Sequence, residues 1–224
     1  MKIAIDGPGG AGKSTVAKLL AKKLEMTYID TGAMYRAVAL AIISRNIRTD
    51  DADAVTAELS RIDVRIGHNS ISGEQEVYLN GEDVTSQIRT PQISIGASDV
   101  SRAPAVRLRM VELQRLMALE RDVIMDGRDI GTFVFPDAEK KFFLTASAGE
   151  RARRRYLELR AKGGCTQYDK CLADLILRDE NDRSRALAPL KAADDAVCIL
   201  TDRMTAREVA DHLYYDIMGC VCVI

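Results

Sequence analysis

The spacing of apolar positions divides the chain into strands and helices. Residues 2–6, KIAID, are a short apolar run closed at once by glycine, which predicts a buried strand. Residues 16–24, VAKLLAKKL, instead place Val16, Leu19, Leu20 and Leu24 at helical spacing. A second strand is predicted over Tyr28–Asp30, a helix over Ala33–Ser44 and an alanine-rich helix over Asp50–Arg61. Between Ile62 and Val84 the period changes to two, with turn signals at Asn69, Gly73 and Asn80-Gly81. That pattern predicts a small inserted antiparallel sheet of about three strands. Helical spacing returns after Thr90-Pro91 and again after Pro104. Strands follow over Val123–Asp126, Lys141–Leu144 and Ala196–Leu200, with helices over Ala148–Lys162, Tyr168–Asn181 and Ala206–Ile217. The apolar end GCVCVI suits a frayed tail or an added strand and is given no role. Strands alternating with helices describe an α/β fold around a parallel sheet covered on both faces. Such sheets bind ligands at the carboxyl ends of their strands. Asp6, Asp30 and Asp126 stand at three such ends and are expected to open onto one crevice.

Composition narrows the function classes. The 224 residues are 47% apolar and 29% charged, with a formal net charge of −1. This fits one embellished domain or two small ones, and it argues against a strongly basic nucleic-acid binder. No apolar run approaches the ~20 residues of a membrane span, and MKIAIDG lacks the features of a secretion signal. The five cysteines, Cys165, Cys171, Cys198, Cys220 and Cys222, are odd in number and form no C-x-x-C pair, so reduced thiols in a cytoplasmic protein are expected. His68 and His212 are far apart, and only Cys165 and Cys171 fall near the later helices, so a zinc site of protein ligands is not expected.

The chemistry begins at Gly7. The stretch GPGGAGKST, Gly7–Thr15, lies between the first strand and the first helix and matches G-x-x-x-x-G-K-[ST] in full. Gly7, Gly9, Gly10 and Gly12 let several N–H groups turn toward one anion, and the following helix adds its N-terminal donors and dipole. Lys13 supplies a charge that can follow the β- and γ-phosphates, and the Ser14 hydroxyl is placed to ligate Mg²⁺. A nucleoside triphosphate is therefore expected along Gly7, Pro8, Gly9, Gly10, Ala11, Gly12, Lys13, Ser14 and Thr15. Switch GTPases, motor ATPases and small-molecule kinases all share this loop. An N-K-x-D guanine motif is missing from the sequence, and a chain of this length with the loop at its start fits a small-molecule kinase better than a motor. A nucleotide-dependent switch or binding protein, and a nucleic-acid-binding ATPase, remain as alternatives.

Arginines mark a second anion site. Arg36 and Arg128 each follow a predicted strand end, and Arg185 closes the run RDENDRSR. Guanidinium forks suit phosphate oxygens, and clamping charge is most of phosphoryl-transfer catalysis. Arg151, Arg153 and Arg160 read more simply as residues of a solvated helix face.

The motifs IDGPGGAGKST, DTGAMYRA, GEDVTSQIR, DGRDIGTFVFPDA and RDENDRSRALAPL together resemble the bacterial-type cytidylate kinases, the ATP-dependent CMP/dCMP kinases of the nucleoside monophosphate kinase group. The resemblance covers nearly the whole chain. It implies a P-loop three-layer fold of a single domain, 1–224. The core would be about 1–30, 105–147 and 190–217, with a five-stranded parallel sheet. A monophosphate-binding region of about 31–104 would carry the small antiparallel sheet, and 148–189 would be a short helical lid. It further implies phosphorylation of CMP and dCMP with ATP and Mg²⁺, Ser14 serving the metal, by a monomer without nucleic-acid or membrane partners. A kinase for another monophosphate is the nearest competitor. Thr31, Arg36, Arg128 and Arg185 match the family's acceptor-phosphate positions, and Ser98, Arg107 and Asp129 its cytosine-reading ones. Arg178 and Asp182 match positions that meet the sugar, and Arg154 lies where a lid arginine reaches the ATP phosphates. Lys13, Arg128, Arg154 and Arg185 are thereby the catalytic candidates. Asn181 stands where relatives often carry a charged residue.

Overall fold

The computed structural model describes residues 1–69, 73–119, 121–161 and 163–219. The tail beyond Gly219, with Cys220 and Cys222, lies outside the described residues, as does Lys162 at the end of a predicted helix. Cys165, Cys171 and Cys198 are free thiols.

The chain divides into two compact units, 1–28, 120–184 and 188–224 forming the first and 29–119 with 185–187 the second. Strand β1 (Lys2–Asp6) leads through the glycine stretch into helix α1 (Lys13–Leu24). Helix α1 starts three residues before the predicted Val16, because Gly12, at φ 90°, takes the N-cap position and Lys13, Ser14 and Thr15 form the first turn. Those polar residues are invisible to apolar periodicity. The buried face of α1 is Val16, Ala17, Leu20 and Ala21, whereas Leu19, on the predicted stripe, is exposed.

Strand β2 (Thr27–Asp30) is followed directly by α2 (Thr31–Ser44), then α3 (Ala52–Glu58). The predicted helix over Asp50–Arg61 is shorter than expected, ending in a 3₁₀ turn over Leu59–Arg61. Next come β3 (Val64–His68), β4 (Gln75–Leu79) and β5 (Glu82–Asp83), then α4 (Pro91–Val100) and α5 (Pro104–Met117). The remaining elements are β6 (Val123–Gly127), β7 (Lys140–Thr145), α6 (Ala148–Ala161), α7 (Tyr168–Arg183), β8 (Val197–Leu200) and α8 (Ala206–Ile217).

Among the described residues the main sheet has five strands in the order β2-β6-β1-β7-β8, and β1–β6, β1–β7 and β7–β8 pair in parallel. The predicted small sheet is present as antiparallel β3-β4-β5. In the first unit Ile3, Ile5, Val16, Leu20, Ile124, Phe142, Leu144 and Leu213 form one core, with α8 packed along α1. The second unit has its own core of Met34, Val38, Ile42, Val77, Ile88, Val106 and Met110, where α2 packs on α4. At ~25 cal/mol per Å² of apolar surface buried, each such cluster is a substantial driving force for folding. No helix among the described residues is long and apolar enough to cross a membrane.

Candidate active site

The central strands of the first unit deliver the chemistry. Register aligns Ile5 with Asp126 and Asp6 with Gly127, so the Asp6 and Asp126 carboxylates leave adjacent strand ends. Asp30 closes β2 and lies in the second unit.

Asp6 orders the segment after β6. Its two oxygens accept from Ile130 N at 2.8 Å and Gly131 N at 2.7 Å, which satisfies donors at the start of a π-type turn over Ile130–Val134. Such turns are frequent at functional sites. Burial pushes the Asp6 carboxyl up to about 7, in spite of those two bonds. Asp126 accepts from Ser14 Oγ at 2.8 Å on one oxygen and from the Tyr28 hydroxyl at 2.8 Å on the other. A hydroxyl beside a carboxylate is a hard oxygen pair of the kind Mg²⁺ prefers. Among the described residues no group of three or more His, Cys, Asp or Glu is placed to hold a metal.

The carbonyls of the glycine loop are pinned one after another. Lys13 Nζ donates to Pro8 O at 2.8 Å, Arg151 Nη1 to Gly9 O at 2.9 Å and Thr201 Oγ1 to Ala11 O at 3.2 Å. In a trans peptide the C=O and the next N–H point in opposite directions. Each pinned carbonyl therefore turns the N–H of Gly9, Gly10 or Gly12 away from these partners. Gly7, Gly10 and Gly12 have positive φ. Gly9 does not; a Cβ there would press on Leu175 Cδ2 at 3.3 Å and make ordinary contact with Arg128 Nη2 at 3.6 Å. Lys13 is buried, and loss of water together with the nearby Arg128 charge pulls its pKa from 10.5 to about 7.

The predicted site residues fall into both units. Arg128, Asp129, Arg154, Arg178 and Asp182 belong to the first, and Thr31, Arg36, Ser98, Arg107 and Arg185 to the second. In the first unit, Arg128 Nε donates to Asp182 Oδ2 at 2.6 Å. The Asp129 carbonyl accepts from Phe133 N and Val134 N at the start of the π-type turn. Arg154 donates to Glu150 at 2.8 Å, to Thr201 O at 2.6 Å and, at 3.5 Å, to Ala11 O. Arg153 and Arg154 hold the Glu150 carboxyl down at about 2.

In the second unit Asp30 caps α2 by accepting from Ala33 N, which is why the helix begins at Thr31 rather than at the predicted Ala33. The same carboxylate pairs with Arg36 at 2.7 Å, and Arg36 and Arg89 hold it below the ordinary carboxylate range against the upward push of burial. Arg107 is 2% exposed. Its Nε donates to Ser101 O, and its guanidinium lies 5.2 Å from the Tyr35 ring centre. Ser101 Oγ donates to Ser98 O, so Ser98 and Arg107 are joined through one residue. Arg185 is buried.

One expectation is overturned. Arg151 is not on a solvated face: it is 4% exposed and pairs with the equally buried Asp179 at 2.7 Å. Arg153 and Arg160 are exposed as expected. Sequence reasoning also missed Thr201, Tyr35 and the pairing of Asp126 with Ser14. No local pattern announces any of these, because each partner lies far away along the chain.

Comparison with known proteins gives the family of the chain. The cytidylate kinase family model matches residues 3–218. A cytidylate kinase of Caldicellulosiruptor saccharolyticus is 49% identical over 222 residues, covering 98% of this chain and 97% of its own. That of Geobacter sulfurreducens is 52% identical over 211 residues, covering 94% and 90%. Among solved structures, an uncharacterized protein from Eubacterium ventriosum aligns over 98% of this chain and 99% of its own, with a TM-score of 0.54 at 13% identity, a likeness of fold alone. With the phosphate loop intact between β1 and α1 and the match running from the first strand to the last helix, the chain belongs to the cytidylate kinase family.

Proposed function

We propose that this protein transfers the γ-phosphoryl group of ATP to CMP, giving ADP and CDP, and that dCMP serves as well. The observation that carries the reading is family membership across residues 3–218 joined to an intact phosphate loop with its carbonyls pinned. The loop amides and Lys13 bind the triphosphate. Ser14 and its acceptor Asp126 would hold Mg²⁺, which when bound offsets charge on the β- and γ-phosphates. Arg36, Arg128 and Arg185 hold the acceptor phosphate in line, with Thr31 beside it, while Lys13 and Arg154 stabilise the charge that spreads over the moving group. The attacking oxygen is already an ionised phosphate, so no general base is needed.

Base choice follows from donors and acceptors. On this reading the Asp129 carboxylate accepts from the cytosine amino group, while Arg107 and Ser98 donate to the ring acceptors. Uracil would set a carbonyl against the carboxylate, and an unmatched buried group costs ~1–3 kcal/mol. The Ser101 carbonyl and the Tyr35 ring fix the plane of Arg107, as such reading requires. Arg178 and Asp182 meet the sugar. A monomer acting in the cytoplasm on small molecules alone is part of the proposal.

A coupled ADP-release assay with MgATP and one monophosphate at a time tests it. Turnover on CMP and dCMP, with little on UMP, AMP or GMP, is expected. Fast turnover on a different monophosphate would keep the phosphate loop and discard the roles of Ser98, Arg107 and Asp129. No turnover on any would favour a nucleotide-binding protein.

A further inference from the structure

Arg151 sits where three elements of the first unit meet. Its Nε donates to Ala146 O at 3.0 Å, one residue past the end of β7. One terminal nitrogen, Nη1, donates to Gly9 O at 2.9 Å, and the other, Nη2, to Asp179 Oδ2 on α7 at 2.7 Å. The fork is therefore shared among a strand end, the phosphate loop and a helix, all out of water. A planar guanidinium can serve three acceptors in fixed directions, which a single ammonium cannot. The body of Arg151 also abuts the loop: a Cβ at Gly10 would meet Arg151 Cβ at 3.0 Å and its carbonyl oxygen at 3.2 Å.

A buried pair of this kind does little for stability by itself, since desolvating both charges offsets their attraction. What it does supply is orientation. Holding the Gly9 carbonyl fixes the plane of the Gly9–Gly10 peptide and hence the direction of the Gly10 N–H. One turn further along α7, Asp182 holds Arg128 in the same manner. Helix α7 thus carries two carboxylates at i and i+3, one steering the loop through Arg151 and the other steering Arg128.

We infer that the Arg151–Asp179 pair is a positioning device for triphosphate binding: Asp179 aims Arg151, and Arg151 sets the Gly9–Gly10 peptide so that the Gly10 N–H faces the donor phosphates. This deepens the kinase reading and rests on its placement of ATP at the loop. Two variants test it. Arg151→Lys keeps the charge against Asp179 but gives up the directed bond to Gly9. Arg151→Met with Asp179→Leu replaces the pair by apolar bulk, so no lone buried charge is left to unfold the protein.

ATP affinity is measured by calorimetry without any acceptor, alongside the thermal midpoint and the turnover of the unsubstituted protein on CMP. Both variants should melt within about 5 °C of the parent. Both should bind ATP about tenfold or more weakly, and the backbone amide signal of Gly10 should shift in nitrogen-proton spectra. A folded double variant with parental ATP affinity would overturn the inference, and so would failure of both variants to fold, which would make the pair a folding element only. Because ATP binding is read without CMP, an inert parent on CMP would reject the acceptor reading and leave this test intact.

Discussion

Lys13 shows what one residue's surroundings decide. Removal from water and repulsion by Arg128 pull its ammonium to about 7, while Asp126, Asp6 and Asp182 act the other way. Between about pH 7 and the ordinary 10.5 the unfolded chain then binds more protons here than the folded protein. This group's contribution to stability therefore rises with pH across that window, and its penalty is fully present below pH 7. Triphosphate binding restores the charge. At pH 8 ATP binding should take up close to one proton, read by calorimetry in buffers of different ionisation enthalpy, and affinity should weaken by up to about tenfold per pH unit above 7. Lys13→Ala should abolish that uptake and lower turnover by about 100-fold or more. An affinity independent of pH, with no proton taken up, would contradict this picture. Charge type alone was legible at this scale: Lys13, Arg36 and Arg128 stand out by motif and strand end, whereas the buried Arg151 has the same sequence appearance as the exposed Arg153.

At the scale of elements, the turn from β1 into the loop is the tightest joint. Gly7 has φ 145°, and a Cβ there would lie 2.0 Å from the carbonyl oxygen of Leu144 on β7. Backbone cannot yield as a flexible side-chain end can, so Gly7→Ala should cost about 4 kcal/mol or more or prevent folding. Urea unfolding measures it, and a loss under about 1 kcal/mol would show that β1 and β7 can part there. The starts of α1 and α2 were less legible than those of α6 and α7, which begin at Ala148 and Tyr168 as predicted. Both α1 and α2 begin with residues that carry no large apolar side chain, Lys13-Ser14-Thr15 after the Gly12 cap and Thr31-Gly32 after the Asp30 cap. Apolar periodicity sees the middle of a helix, not its first turn. Helix α8, by contrast, begins where its pattern predicts, with Thr205 and Glu208 forming a capping box.

At the scale of the whole molecule, each unit has its own core, and the residues proposed to hold ATP lie in the first. ATP at a hundredfold excess over its Kd should stabilise the protein by about 2.7 kcal/mol. Hydrogen exchange should slow across the Gly7–Thr15 loop and the start of α1, and unchanged exchange there would remove ATP from the loop. The order of strands and helices, the small inserted sheet and the phosphate loop were legible because each is written in contiguous residues, as period, turn or fixed spacing. The resemblance added base and sugar roles that spacing alone does not express. Tertiary structure alone decided which partner each buried charge meets: Asp126 the Ser14 hydroxyl, 112 positions away, Asp6 the amides of Ile130 and Gly131, and Arg151 the Asp179 carboxylate and the Gly9 carbonyl. The physical reason is that local pattern governs how a segment folds, while the partner of a buried charge depends on which strand end and helix the sheet brings beside it.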